Sequence, residues 1–360
     1  MNSLKIAAIT LMAMTSYLSA YHARAASDVT CCVHAQSVSR DDETTLAFRQ
    51  LTKNSHWVLK NVVQMDFPTN HTQGLIKIGD IFYVSSVEII ERSNTFDDTD
   101  ALWYTSITRT AGKVRGWLDK FDADGKHLGR VELTDGDAFH PGGMDFDGQY
   151  IWIPVAEYRP NSASSIYRVD PETLEAELSF RVKDHIGNIL HVPDSDRFHG
   201  SSWGSRRMYD WQIRLKPNGQ GIVIHESWRP NPGHYVDYQD CQYAGVDFML
   251  CSGLNRYQTP AGEIAIGGIE LVDLSGDRHW PVHQIPVTQY IDDRNDATVA
   301  DFVPDDATQV ASGNAFWAEA LAEREVLNGA TALMRFYFMA ENDNQASLLV
   351  YEVANSFVAR

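Results

Sequence analysis

The sequence predicts an all-β chain folded as a five-bladed β-propeller, with the closing blade shared between N- and C-terminal strands. Three observations predict it. Short runs rich in Tyr, Trp, Phe, Ile and Val, bounded by Gly, Asn, Asp and Pro, recur along almost the whole chain. They fall into units with one internal order: a polar entrance with glycine, a first strand, a tight turn, a bulky second strand, a variable loop and two further strands. The last unit lacks a fourth strand, whereas "HWVLKNVVQMDF" (His56 to Phe67) has no unit of its own. Joining the two closes the ring without an exposed sheet edge.

The chain opens with Lys5, an apolar run from Ile6 to Leu18, and Ala23-Arg24-Ala25 as a small-x-small cleavage site. This predicts a signal peptide over residues 1–25, an N-terminal extension over 26–55 and a single propeller domain over 56–355, in a secreted or periplasmic protein. The apolar run is shorter than the ~20 residues that span a bilayer, and no other stretch reads as a membrane helix.

The first unit is "HTQGLIKIG", "IFYVSSVEI" and "GWLDKFDADGKHLGRVEL", starting at His71. The second runs from His140 as "HPGGMDFDG", "YIWIPVAEY" and "SIYRVDPETLEAELSFRV". The third runs from His185 as "HIGNILHVP", "FHGSSWGSR" and "WQIRLKPNGQGIVIHESW". In the fourth, "YQDCQYAGVDF" leads to "LCSGLNRY", "IGGIELVDL" and "HWPVHQIPV", and Gln239 and Asp240 replace the histidine. The fifth is "GNAFWAEAL", "LMRFYFMAEN" and "SLLVYEV". The best helical periodicity, Asn314 to Leu327, overlaps it but has a poor apolar face. Two long insertions, Arg92 to Gly112 and Asp292 to Gly313, are expected over a functional face.

Composition narrows the partners. With 48 acidic and 30 basic residues the formal net charge is -18, and no Lys/Arg cluster offers a phosphate footprint, so nucleic acid is not an expected partner. Export places the four cysteines where disulfides persist. Cys241 and Cys251 flank "QYAGVDFML", a length that suits two antiparallel strands and their turn, and predict a cross-strand bridge. Cys31 and Cys32 are free, paired to each other or a lipid attachment site, although "SDVTC" lacks the small apolar residues expected before a lipidated cysteine.

The loop before each first strand and the loop after each second strand open on the same face of a propeller. His71, His140 and His185 therefore approach the axis together, followed by glycines because neighbouring backbones crowd there. Loops after the second strands add Glu88, Glu91, Glu157, Arg206, Arg207, Arg256 and Glu341. We expect His71, His140, His185 and Asp240 as an axial ring, with Glu88 and Glu157 as acid/base groups. Gln73, Gln239, Trp203, Arg206 and Arg256 are the expected substrate contacts, the arginines suiting an anionic group. The cofactor is left open; a divalent metal on His71, His140 and His185 is the candidate.

Two local motifs have simpler readings. "GSSWG" around Ser202 precedes another strand rather than the helix a nucleophile elbow requires. "DADG" (Asp122 to Gly125) fits a hairpin turn better than a calcium loop.

"TQGLIKIGDIFYVSS" (Thr72 to Ser86) resembles the opening of the five-bladed glutaminyl cyclases, with their T-Q-G-L followed by an aromatic and E-S-T-G, and "FHPGGM" is similar to their next entrance, F-G-E-G-L. The resemblance covers the first two blades and implies the propeller fold and a cyclotransferase-like site. Aligning it sets Val84 where that family has its catalytic glutamate. Over its whole length the chain is similar to a group of exported bacterial propellers for which resemblance supplies no activity. The expected function is an exported hydrolase- or lyase-like enzyme acting on a small polar molecule; the rival is a non-catalytic propeller binding a glycan or a protein.

Overall fold

Each predicted unit folds as one antiparallel sheet. The computed structural model describes residues 43–91, 112–231, 236–245, 247–260, 262–276, 279–287, 290–292, 296–299, 308–309, 315–322, 326–327, 330–339 and 345–355. The expected leader, Cys31, Cys32 and the insertion from Arg92 to Ala111 lie outside these residues, as does most of the second insertion.

β1 (His56–Val63) precedes the first complete blade, which is β2 (His71–Ile78), β3 (Ile81–Glu91), β4 (Lys113–Asp122) and β5 (His127–Glu132). Blade two is β6 (Ala138–Pro141) with β7 (Asp145–Phe146), then β8 (Ile151–Glu157), β9 (Ser164–Val169) and β10 (Ala176–Val182). Blade three is β11 (Ile186–His191), β12 (Arg197–Ser202), β13 (Arg207–Leu215) and β14 (Gly221–Pro230). Blade four is β15 (Asp237–Tyr243), β16 (Phe248–Thr259), β17 (Gly262–Asp273) and β18 (Trp280–Pro286). β19 (Tyr290–Asp292), β20 (Asp296–Val299) and β21 (Thr308–Gln309) form a small separate sheet.

Blade five runs outward as β22 (Ala315–Ala320), β24 (Ala330–Met339), β25 (Leu348–Ala354) and β1, with β23 (Val326–Leu327) beside β24. β1 pairs antiparallel with β25 from His56 opposite Ala354 to Val63 opposite Leu348. The ring is thus closed by strands from the two ends of the chain, as expected. The helical pattern at Asn314 to Leu327 loses to strand pairing: β22 takes the inner position of blade five, where the Gln242 side chain donates to Ala318 O and accepts from Ala318 N, at 2.8 and 2.7 Å. Residues 43–48 form a short helix, which puts part of the expected extension into the core: Phe48 and Leu51 are fully buried against blades four and five.

Aromatic side chains fill the seams between blades, each removing a large apolar area from water. Phe82 stacks on Phe121 and meets Tyr337 edge-on between blades one and five. Trp152 meets Phe198 edge-on between blades two and three. Cys241 and Cys251 are direct cross-strand partners and are joined by a disulfide.

Backbone packs on backbone at the axis. A Cβ on Gly142 would lie 2.1 Å from Gly187 O, and one on Gly143 would lie 2.5 Å from Gln239 O. The glycines after His140 are therefore steric requirements of the inner ring, and they split β6 from β7. Beneath them the buried Asp240 carboxylate accepts the amides of Leu75 at 2.9 Å, Met144 at 3.2 Å and Phe316 at 3.0 Å. One side chain of blade four thereby ties blades one, two and five.

Candidate functional site

Above that hub the inner strands leave a cavity of ≈ 280 Å³. Its walls are His71, Gln73, His140, Gly142, Tyr158, His185, Gly187, Trp203, Gly204, Tyr238, Gln239 and Leu254. The three histidines converge as the repeat predicts: the His71 and His140 rings are 6.4 Å apart by centroid, and His140 and His185 are 5.8 Å apart. Gln73, Gln239 and Trp203 join them. Tyr158 stacks on His140 at 4.8 Å with 15° between planes, and Trp203 lies 5.1 Å from Tyr158 and 4.7 Å from His185.

Burial sets the electrostatics. It pushes the His140 pKa well below the ordinary imidazole value, helped by repulsion from His185 and His71. Burial lowers His185 to about 4, against the opposing pull of its bond to the Glu157 carbonyl and of Asp184. His185 Nδ1 donates to Glu157 O at 2.7 Å, which leaves Nε2 as the acceptor nitrogen. Nδ1 of His140 is buried with no hydrogen-bond partner among the described residues. Both rings are neutral at pH 7.

The other expected residues sit elsewhere. Asp240 is the structural hub, not a wall of the cavity. Its pKa is raised well above the usual carboxylate range by burial, opposed by the amides of Phe316, Leu75, Met144 and Cys241. Glu88 accepts from Trp117 Nε1 at 3.0 Å, and Glu157 pairs with Arg159 at 2.6 Å; neither lines the cavity. Arg206 donates to Gly204 O at 2.9 Å, faces Asp237 at 3.6 Å and lines a neighbouring cavity with Trp203 as the shared wall. The side chain of Arg256 and all of Glu341 lie outside the described residues. Val84 is fully buried opposite Leu75. Ser202 leads through a short 3-10 turn into β13 and accepts from Arg207 N, so the nucleophile context is absent. The Asp122 turn is a hairpin whose carboxylate accepts the amides of Asp124 and Lys126.

A tetrahedral ion about 2.0–2.1 Å from each nitrogen needs nitrogens about 3.3 Å apart. The described side chains whose ligand atoms gather within 4.8 Å of one another are His199, Asp210 and His279, not the axial trio. Sequence reasoning missed that group, because its members come from two blades, and it missed Tyr158, Tyr238 and Leu254. Tyr158 had a usable signal: it follows Glu157 in a second-strand loop, the position already assigned to the axial face.

No curated protein matches the chain. Among solved structures, a tail fibre of Staphylococcus aureus phage P68 aligns at 9% identity with a TM-score of 0.45, covering 84% of this chain and 53% of that one. The chain thus spans about half the length of the tail-fibre chain. The β-propeller domain of the Trilobed protease from Pyrococcus furiosus, described as having an open velcro topology, aligns at 13% identity with a TM-score of 0.30, covering 80% of this chain and 70% of that one. Residues 26–356 match a family of unknown function, DUF6454, and the chain belongs to that family.

Proposed function

We propose that the axial cavity binds a small, neutral, hydroxyl-rich ring molecule, a monosaccharide or similar polyol. The observation that carries this is the lining: among the described residues, the twelve that wall the cavity include no Asp, Glu, Lys or Arg. The neutral imidazoles of His140 and His185 and the amides of Gln73 and Gln239 both donate to and accept from hydroxyl groups. Tyr158 and Trp203 supply an aromatic wall for the apolar face of a ring. At ≈ 280 Å³ the cavity falls just below the roughly 300–1,000 Å³ range of ligand pockets, which suits a small ligand.

A second reading, a hydrolase- or lyase-like enzyme, is favoured by one observation: His185 is held in a single tautomer by the Glu157 carbonyl, with Nε2 ready to accept a proton. A glutaminyl cyclase route has no such support, since Val84 stands at the carboxylate position within the core. Export is part of the proposal, and the Cys241–Cys251 disulfide supports it, because such bonds persist in oxidising compartments.

Saturation-transfer NMR against neutral, amino and acidic monosaccharides tests the reading. Neutral sugars are expected to show transfer that Tyr158→Ala abolishes. Transfer only to acidic sugars, or equal transfer to wild type and variant, would contradict it.

A further inference from the structure

His199 on β12 and Asp210 on β13 face each other across one strand pair of blade three. His279, just ahead of β18 in blade four, reaches the same carboxylate. His199 Nδ1 donates to Asp210 Oδ1 at 2.7 Å and His279 Nε2 to the same oxygen at 2.8 Å. Arg229 Nη1 approaches the other oxygen, Oδ2, at 3.3 Å. The two imidazole side chains are 4% and 1% exposed, far below what a surface ion pair shows. Their outer nitrogens, His199 Nε2 and His279 Nδ1, are buried with no hydrogen-bond partner among the described residues.

Two buried imidazoles meeting one carboxylate oxygen make a donor set of nitrogen and oxygen with positions left over. We propose that His199, Asp210 and His279 bind a divalent first-row transition-metal ion, of the zinc type, at the seam between blades three and four. Ligation at about 2.0–2.2 Å requires the three ligand atoms to part from hydrogen-bond distance to about 3.3 Å, a shift of roughly half an ångström. Each ring must then present an unprotonated nitrogen to the ion. The proton each ring now directs at Asp210 then sits on its outer nitrogen, which has no hydrogen-bond partner among the described residues. Arg229 on Oδ2 fixes the carboxylate and leaves Oδ1 as the ligand. A cavity of ≈ 480 Å³ lined by His279, Trp280, His283 and Asn231 borders the cluster at His279.

The test uses the full chain, stripped with a chelator and titrated with cobalt(II) and then zinc(II). About one equivalent of cobalt(II) with visible d–d bands, displaced by zinc(II), is expected, and Asp210→Asn and His279→Gln should each bind at least about tenfold more weakly. His140→Ala should bind as wild type, which separates this site from the axial cavity. Circular dichroism and melting in chelator establish that each variant folds. Should a variant fail to fold, imidazole 1H–15N spectra of the wild type decide, with zinc expected to shift His199 and His279 and to leave His140 and His185 in place. No uptake by the wild type, unchanged affinity in both folded variants, loss in His140→Ala, or zinc-induced shifts confined to the axial histidines would each overturn the proposal and make the cluster a hydrogen-bonded staple between blades.

Discussion

The rings of His140 and Tyr158 stack at 4.8 Å with 15° between their planes, joining the entrance of blade two to the loop that follows its second strand. The stack holds His140 in place and sets an aromatic surface at the rim of the axial cavity. Tyr158→Leu keeps apolar bulk but removes the π-face, and an aromatic contact of this kind is worth about 0.5–1.5 kcal/mol. Affinity for a bound sugar should fall roughly three- to tenfold by titration calorimetry, with little change in melting temperature.

Asp240 makes the opposite prediction. Asp240→Ala leaves the amides of Leu75, Met144 and Phe316 facing an apolar void, and each unpaired buried donor costs about 1–3 kcal/mol. The variant should lose about 3–9 kcal/mol in urea unfolding. Near-native stability with lost binding would instead make Asp240 a ligand contact.

Acid should loosen the axis. His185 has a folded pKa of about 4 against an ordinary value of 6.5, because burial disfavours its charged form. Above pH 6.5 both folded and unfolded states carry the ring neutral, so the stability is fully present. As pH falls below 6.5 the unfolded chain takes up the proton first, and stability drains away until the folded ring also protonates near pH 4. His185 alone accounts for up to ~3 kcal/mol over this window, and His140 acts with the same sign. Unfolding at pH 7 and 5 should show a loss that His185→Gln reduces.

The disulfide should matter moderately. Cys241 and Cys251 are 10 residues apart, and closing so short a loop stabilises by about 2.5 kcal/mol in the chain-entropy treatment. Reduction, or a Cys241→Ala/Cys251→Ala double variant, should lower stability by about that amount without changing the sheet content read by circular dichroism.

Blade boundaries, the closure by β1 and the convergence of His71, His140 and His185 were legible because each follows from repeated local chemistry. Turn residues bound each strand, and matching positions in repeats must share a face. The roles of Asp240, Glu157 and Arg206 were not legible. Residue type and loop position suggest chemistry for them, yet their nearest partners are amides of other blades, Arg159 and the Gly204 carbonyl. The first strand of the fifth unit, "GNAFWAEAL", was legible despite the weak helical periodicity over Asn314 to Leu327, but its bonds to the Gln242 side chain were not, because they are tertiary contacts that its own sequence does not carry. His199, Asp210 and His279 meet across 80 residues of chain and two blades, and no spacing rule connects them.

The most direct test of the axial site is an imidazole 1H–15N correlation spectrum of uniformly labelled protein, recorded with and without saturating neutral monosaccharide. The ring nitrogens of His140 and His185 should shift, with both rings staying neutral at pH 7, while His191, bonded to Asp147 away from the cavity, stays fixed. Unmoved His140 and His185 resonances in the presence of a sugar that binds would contradict the assignment of the axial cavity as the ligand site.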